Sequence, residues 1–187
     1  TYTAGSRPFH AVDGSFSTAW TVGAFNKVKG ERFVIELEKP EPIESIRLTQ
    51  SNVEGQNRWI TALRIHADGE ILDLNLNERS RSKPGQLLDL ALPVTSKIEL
   101  EILETDLGEL NYYAGISGVG FSEIKINEIA ADETIRMPLD LINSLGEDSG
   151  AELFFLSSRQ RSDPLDPIRS DPEEFIDRTF SVPWKRN

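Results

Sequence analysis

The sequence predicts an all-β fold, an antiparallel β-sandwich, from three observations. Apolar residues recur at every second position between residues 31 and 126, turn-forming clusters separate these runs, and no helical periodicity intervenes. A strand with one buried face needs that two-residue period, and a succession of such strands without crossover helices pairs antiparallel.

The first strand set is Phe33, Ile35 and Leu37. Ile46 with Leu48, Leu63 with Ile65, and Leu72 with Leu74 and Leu76 repeat the pattern, followed by Ile98, Leu100 and Ile102. Lys39-Pro-Glu-Pro42, Ala67-Asp-Gly69 and Lys83-Pro-Gly85 are read as the turns between them, because Pro presets φ and Gly permits left-handed conformations. The last strand breaks parity. Val119 and Phe121 share one face while Ile124 and Ile126 keep the other count, so an extra residue near Ser122-Glu123 is expected. A β-bulge supplies such a residue and re-aims its neighbours, which predicts that Glu123 turns toward a polar site; a solvated strand residue beside a loop is the alternative.

Residues 1–126 are therefore assigned to the sandwich and residues 127–187 to a strand-and-loop extension. In the extension acidic residues outnumber basic ones, and short β-like pieces appear at 135–137, 153–156 and 179–182. Pro164, Pro167 and Pro172 interrupt regular pairing between the last two. This segment is expected to pack on the sandwich or lead into a following domain, since its apolar content is low for independent folding.

Bulk composition narrows the function. A net charge of -11 and a pI near 4.7 oppose nucleic-acid and anionic-membrane binding, both of which require clustered Lys and Arg. The absence of cysteine excludes disulfides, thiolate zinc sites and cysteine nucleophiles. No apolar run reaches the roughly 20 residues that span a bilayer. The chain starts at Thr1 and is read as a piece of a longer protein, with any membrane segment elsewhere.

Ala11-Val-Asp-Gly-Ser-Phe-Ser-Thr-Ala-Trp20 is the most informative stretch. Asp13, Ser15 and Thr18 offer a carboxylate, hydroxyls and carbonyls, the hard oxygen ligands that Ca²⁺ takes. Gly14 permits a sharp turn, and Trp20 can anchor the loop under a sheet. The structural alternative is that Asp13 caps a turn and Thr18 bonds to backbone.

With Phe33-Val-Ile-Glu-Leu37, Ile43-Glu-Ser-Ile-Arg-Leu48 and Gly118-Val-Gly-Phe-Ser-Glu-Ile-Lys-Ile126, this stretch resembles the F5/8 type C, or discoidin-like, family of galactose-binding-like modules over residues 5–126. The resemblance implies a jelly-roll β-sandwich. Gly5-Ser-Arg-Pro-Phe-His-Ala-Val-Asp-Gly14, the closing strand, Ile135-Arg-Met-Pro-Leu-Asp140 and Arg178-Thr-Phe-Ser-Val-Pro183 also look like the extracytoplasmic part of actinobacterial α-(1→3)-arabinofuranosyltransferases.

The resemblance implies a structural Ca²⁺. Its ligands would be the carbonyl of His10, the carboxylate of Asp13, the carbonyl of Ser15, the carbonyl and hydroxyl of Thr18, the carbonyl of Ser122 and the carboxylate of Glu123. Ser15 stands where the family commonly has Asn or Asp, which puts a side-chain ligand at that position in doubt. Sugar binding is expected from loops at one end of the sandwich. Ser51-Asn-Val-Glu-Gly-Gln-Asn-Arg-Trp59 and Glu109-Leu-Asn-Tyr-Tyr-Ala114 carry the aromatic and polar groups that carbohydrate recognition uses. Asn57, Arg58, Asn111, Tyr112 and Tyr113 are the candidates, with Arg81 from the Arg79-Ser-Arg81 loop. Trp59 and Trp20 are read as core.

Neither His10 nor His66 sits in a nucleophile setting, and the Gly-x-Ser-x-Gly turn is absent. The expectation is a noncatalytic, calcium-stabilised carbohydrate-binding module serving a cell-wall arabinofuranosyltransferase on the extracytoplasmic side of the membrane. Its partners would be arabinan or a related glycan and other domains of the parent chain. The alternative is a structural interdomain module without a glycan site. A lipid-binding role has only Ala24-Phe25-Asn-Lys-Val-Lys29 to draw on.

Overall fold

The computed structural model describes residues 4–23, 27–52, 58–108, 117–129, 134–136 and 179–181. Two compact units divide the chain, Thr1–Ala131 and Asp132–Asn187. The first unit holds an antiparallel sheet of six strands: β1 (Trp20–Val22), β2 (Arg32–Gln50), β3 (Ile60–Ala67), β4 (Glu70–Asn75), β5 (Gln86–Thr105) and β6 (Val119–Ile126). Their spatial order is β1-β6-β2-β5-β3-β4.

Two layers arise from this one sheet because β2 and β5 are long and irregular in the middle. Arg32 faces Glu101 and Leu48 faces Gln86, but the register slips between Glu36 and Ser45. Before the slip in β2, the sheet continues through β5 into β3, with Leu63 opposite Ile102, and then into β4. Beyond it, β2 also pairs with β6, Leu48 opposite Ile124, and β6 pairs with β1. Strands that bend through bulges make the corners of such sandwiches. The Lys39-Pro-Glu-Pro42 cluster lies inside this bend and not between strands, a correction to the sequence reading. Prolines are tolerated there because Pro40 and Pro42 fall where the β2–β5 ladder is already broken.

Both wings contribute to one core. Phe33, Leu63, Ile65, Leu100 and Ile102 come from one wing, and Ile46, Leu48, Phe121 and Ile124 from the other. Trp20 joins them, edge-on to Phe33 at 5.0 Å and stacked on Phe121 at 6.2 Å. Burying each such large side chain contributes about 1.5–3 kcal/mol. Gly120 allows β1 to approach, since a Cβ at that position would collide with the Trp20 carbonyl. The Ala67-Asp-Gly69 cluster forms the tight β3–β4 turn, with Asp68 at φ 45 and Gly69 at φ 86.

On the face opposite the core, charges interlock across strands and, at Lys97 and Glu99, along β5. Arg32 bonds Glu99 at 2.8 Å and Glu101 at 3.0 Å, Arg64 bonds Asp73 at 2.7 Å, and Lys97 bonds Glu99 at 2.6 Å. His66 Nε2 lies 2.7 Å from the Glu101 carboxylate, so it sits in a partly buried pair.

In the second unit, β7 (Thr134–Arg136) and β8 (Thr179–Ser181) pair in parallel, Ile135 opposite Phe180. Residues 153–156, read as β-like in the sequence, lie outside the described residues. Among the described residues no helix is long and apolar enough to cross a membrane.

Candidate functional sites

The bulge inferred from parity is present. Thr49 faces Glu123 but Gln50 faces Phe121, so Ser122 is the extra residue in β6. Phe121, Ile124 and Ile126 can then all join the core. Glu123 is 3% exposed. The pairing of Trp20 with Phe121 brings the chain preceding β1 alongside the chain following Phe121, which places the Asp13 loop beside Glu123.

That loop is organised by Asp13. Its Oδ1 accepts from the Ser15 amide at 2.9 Å, and its Oδ2 accepts from the Thr18 hydroxyl at 2.7 Å. The same hydroxyl reaches the Ser15 carbonyl at 3.1 Å, while Ser15 Oγ turns to Ser17 Oγ at 2.8 Å. The Ser15 side chain therefore points at a neighbouring serine, and its carbonyl is the group turned toward the Thr18 hydroxyl. Ser122 Oγ donates to the Gln50 carbonyl at 3.2 Å. His10 is buried, its Nδ1 2.8 Å from the Gly5 carbonyl, so the ring is committed within its own turn.

Glu123 carries the strongest chemical signal. Burial pushes its carboxyl above the usual carboxylate range, and the charge of Asp13 adds to the rise, while Lys125 and a bond from the Gly14 amide pull the other way. Glu123 Oε2 is buried with no hydrogen-bond partner. A buried carboxylate oxygen left without a donor costs free energy that a bound cation would recover. Among the described residues no three His, Asp or Glu side chains gather, so a metal held here would depend on carbonyl and hydroxyl oxygens. Ca²⁺ accepts that mixture, and the residues present fit it.

At one end of the folded sheet stands a second polar cluster. Arg58 is 6% exposed; its Nε donates to the Ser117 carbonyl at 2.8 Å and its Nη2 to the Gly23 carbonyl at 3.1 Å. Desolvation lowers the Arg58 pKa, and the Asp106 charge opposes that. Asp106 Oδ1 accepts from the Trp59 amide at 2.7 Å and the Gly108 amide at 3.0 Å, and Oδ2 meets Arg81 at 3.3 Å. The Arg81 guanidinium lies 5.2 Å over the Trp59 ring. Trp59 itself is buried, and its Nε1 has no hydrogen-bond partner.

Of the sugar candidates, the structure places Arg58 and Arg81 within this cluster. Asn57, Asn111, Tyr112 and Tyr113 lie outside the described residues. Sequence reasoning missed Asp106 and Gln50. Gln50 is buried and spans the two wings: its Oε1 accepts from the Ile60 amide at 2.7 Å and its Nε2 donates to the Ile60 carbonyl at 2.9 Å. It sits at the end of an apolar run, where a polar residue breaking the pattern is the available signal.

No protein family and no curated protein sequence matches the chain. Among solved structures, mycobacterial arabinofuranosyltransferase AftD aligns with a TM-score of 0.51 at 21% identity over 66% of this chain. A pectin-binding carbohydrate-binding module aligns at 0.48, with 23% identity over 68% of this chain and 84% of its own. The family 32 module of C. perfringens NanJ, solved with galactose, aligns at 0.45, with 16% identity over 66% of this chain and 85% of its own. This chain spans 9% of the AftD chain, and the likeness to it is one of fold.

Proposed function

We propose that this chain contributes a noncatalytic, calcium-stabilised carbohydrate-binding module, residues 1–126, to a cell-wall arabinofuranosyltransferase on the extracytoplasmic side of the membrane, where it engages arabinan or a related glycan. The observation that carries the reading is the meeting of Asp13 and Glu123. Two segments far apart in sequence, both singled out by resemblance to discoidin-like modules, converge on a buried carboxylate oxygen that has no donor. The fold shared with part of AftD supports the parentage.

Asp13, Glu123 and the oxygens of His10, Ser15, Thr18 and Ser122 would hold the ion. Its charge would neutralise the two carboxylates and pin the Asp13 loop to β6. Recognition would then fall to Arg81 in the other cluster, which also holds Arg58, and to the candidates Asn57, Asn111, Tyr112 and Tyr113. A tethered module needs little intrinsic affinity, because attachment to its enzyme raises the effective concentration.

Calorimetry of the 187-residue chain against arabinofuranose oligosaccharides and galactose, with calcium and with chelator, tests the reading. Saturable binding in the micromolar to millimolar range is expected. Silence across both sugars at millimolar concentration would defeat it. In that case the chain is better read as an interdomain support, which the inward commitment of Arg58 to backbone carbonyls favours.

A further inference from the structure

Four chain positions meet around Arg58. Gly23 follows β1, Arg58 precedes β3, Asp106 follows β5 and Ser117 precedes β6. Arg58 engages Ser117 twice, through its amide to Ser117 Oγ at 2.7 Å and through Nε to the carbonyl at 2.8 Å, and it reaches the Gly23 carbonyl at 3.1 Å. Gly23 has φ +74, and a Cβ there would strike Val28, so the position that offers this carbonyl requires glycine. β1 and β6 belong to one wing and β3 to the other, which makes Arg58 a bridge between layers.

Its immediate neighbour carries the effect outward. Trp59 donates its amide to Asp106, whose other oxygen meets Arg81, and the Arg81 guanidinium lies over the Trp59 ring. Arg58 is joined to this chain of contacts through its backbone, so a displacement of the Arg58 main chain is passed to the Trp59 amide and from there to Asp106 and Arg81. We infer that Arg58 is the positioning residue of the recognition end, acting through Trp59, Asp106 and Arg81 without touching the ligand. The inference rests on the glycan-binding reading above. Arginine suits the task because its rigid planar fork directs Nε and Nη2 to two separate carbonyls, whereas the donors of lysine radiate from a single nitrogen on a flexible stem.

The test compares the wild-type chain with Arg58→Lys and Arg58→Gln, and with Arg64→Gln on the charged outer face as control, at a temperature where circular dichroism shows each fully folded. Amide exchange is followed at Trp59 and Gly108, and calorimetry measures binding of an arabinofuranose oligosaccharide. Both Arg58 variants should exchange about tenfold faster at those amides and bind about tenfold more weakly, with the control unchanged in both. Unchanged exchange would overturn the bridge, whether or not glycan binds. Faster exchange with wild-type affinity would overturn the positioning role, and a direct magnetisation transfer between sugar protons and the Arg58 side chain would replace it with contact. A wild-type chain that binds no sugar would overturn the glycan reading and the positioning role together, while exchange would still decide the bridge.

Discussion

Arg58 and Glu123 are both charged side chains removed from water, and their surroundings differ in one decisive respect. Arg58 sends its donors to backbone carbonyls that need them. Glu123 receives a bond from Gly14 but keeps Oε2 without a donor and has Asp13 for a neighbour. A buried charge met by fixed dipoles closes its own account within the fold. One facing a like charge holds its proton more tightly or is relieved by a cation, and the same fold thus contains a buried charge met by its own dipoles and one that is not.

Removing the buried charge that is met should have the largest effect. Arg58→Ala leaves the Gly23 and Ser117 carbonyls without their donor and opens a void, and should cost about 3 kcal/mol in urea unfolding. A loss near zero would mean that water replaces the guanidinium freely, which erases the contrast.

Calcium comes next. At a hundredfold excess over its dissociation constant a ligand bound only by the folded chain adds about 2.7 kcal/mol, so the melting temperature should rise with calcium and fall back with chelator. An unchanged melting curve would leave Glu123 without its external partner and count against the metal.

Glu123→Gln sharpens the point. The folded-state pKa of Glu123 is raised, so the folded chain holds that proton more tightly than the unfolded chain does. Stability of the metal-free protein therefore falls as pH rises from the ordinary carboxylate range through the raised value. In chelator at neutral pH the glutamine variant should be more stable than wild type by about 1 kcal/mol, and it should lose the calcium response. A variant less stable than wild type under those conditions would show that Glu123 is already satisfied.

The smallest effect belongs to His66. Its bond is the main cause that lowers the Glu101 pKa. A depressed carboxylate contributes stability that is present above its unfolded pKa and lost as pH falls through the folded value. Both side chains are partly exposed, so His66→Gln should change stability by less than about 1 kcal/mol, seen as a shallower loss on acidification. The comparison of unfolding midpoints at neutral pH and in acid measures it.

The contrast also explains what the sequence disclosed. Alternation exposed the strands because each turns Leu63 and Ile65, or Ile98, Leu100 and Ile102, to the core. The parity slip exposed the bulge, because Phe121 and Ile124 cannot share a face otherwise. The Asp13 loop was visible since its polar groups are side chains of recognisable type. Arg58 was legible as a candidate but not as a buried bridge, because its partners are the carbonyls of Gly23 and Ser117, and a backbone carbonyl leaves no signature in residue identity. The bend in β2 was hidden for a related reason. Pro40 and Pro42 look alike in a turn and in a slipped ladder, and only the pairing with β5 separates the two.

The pairing of Trp20 with Phe121 has a consequence for how the chain is made. A sheet whose first strand waits for its last cannot complete itself during synthesis until β6 has emerged, and pairing across such sequence distance is slow compared with local hairpin formation. Until then the apolar flank of Trp20 has no Phe121 to stack on, so the interval between emergence of β1 and arrival of β6 is when the nascent unit is most exposed to misassociation.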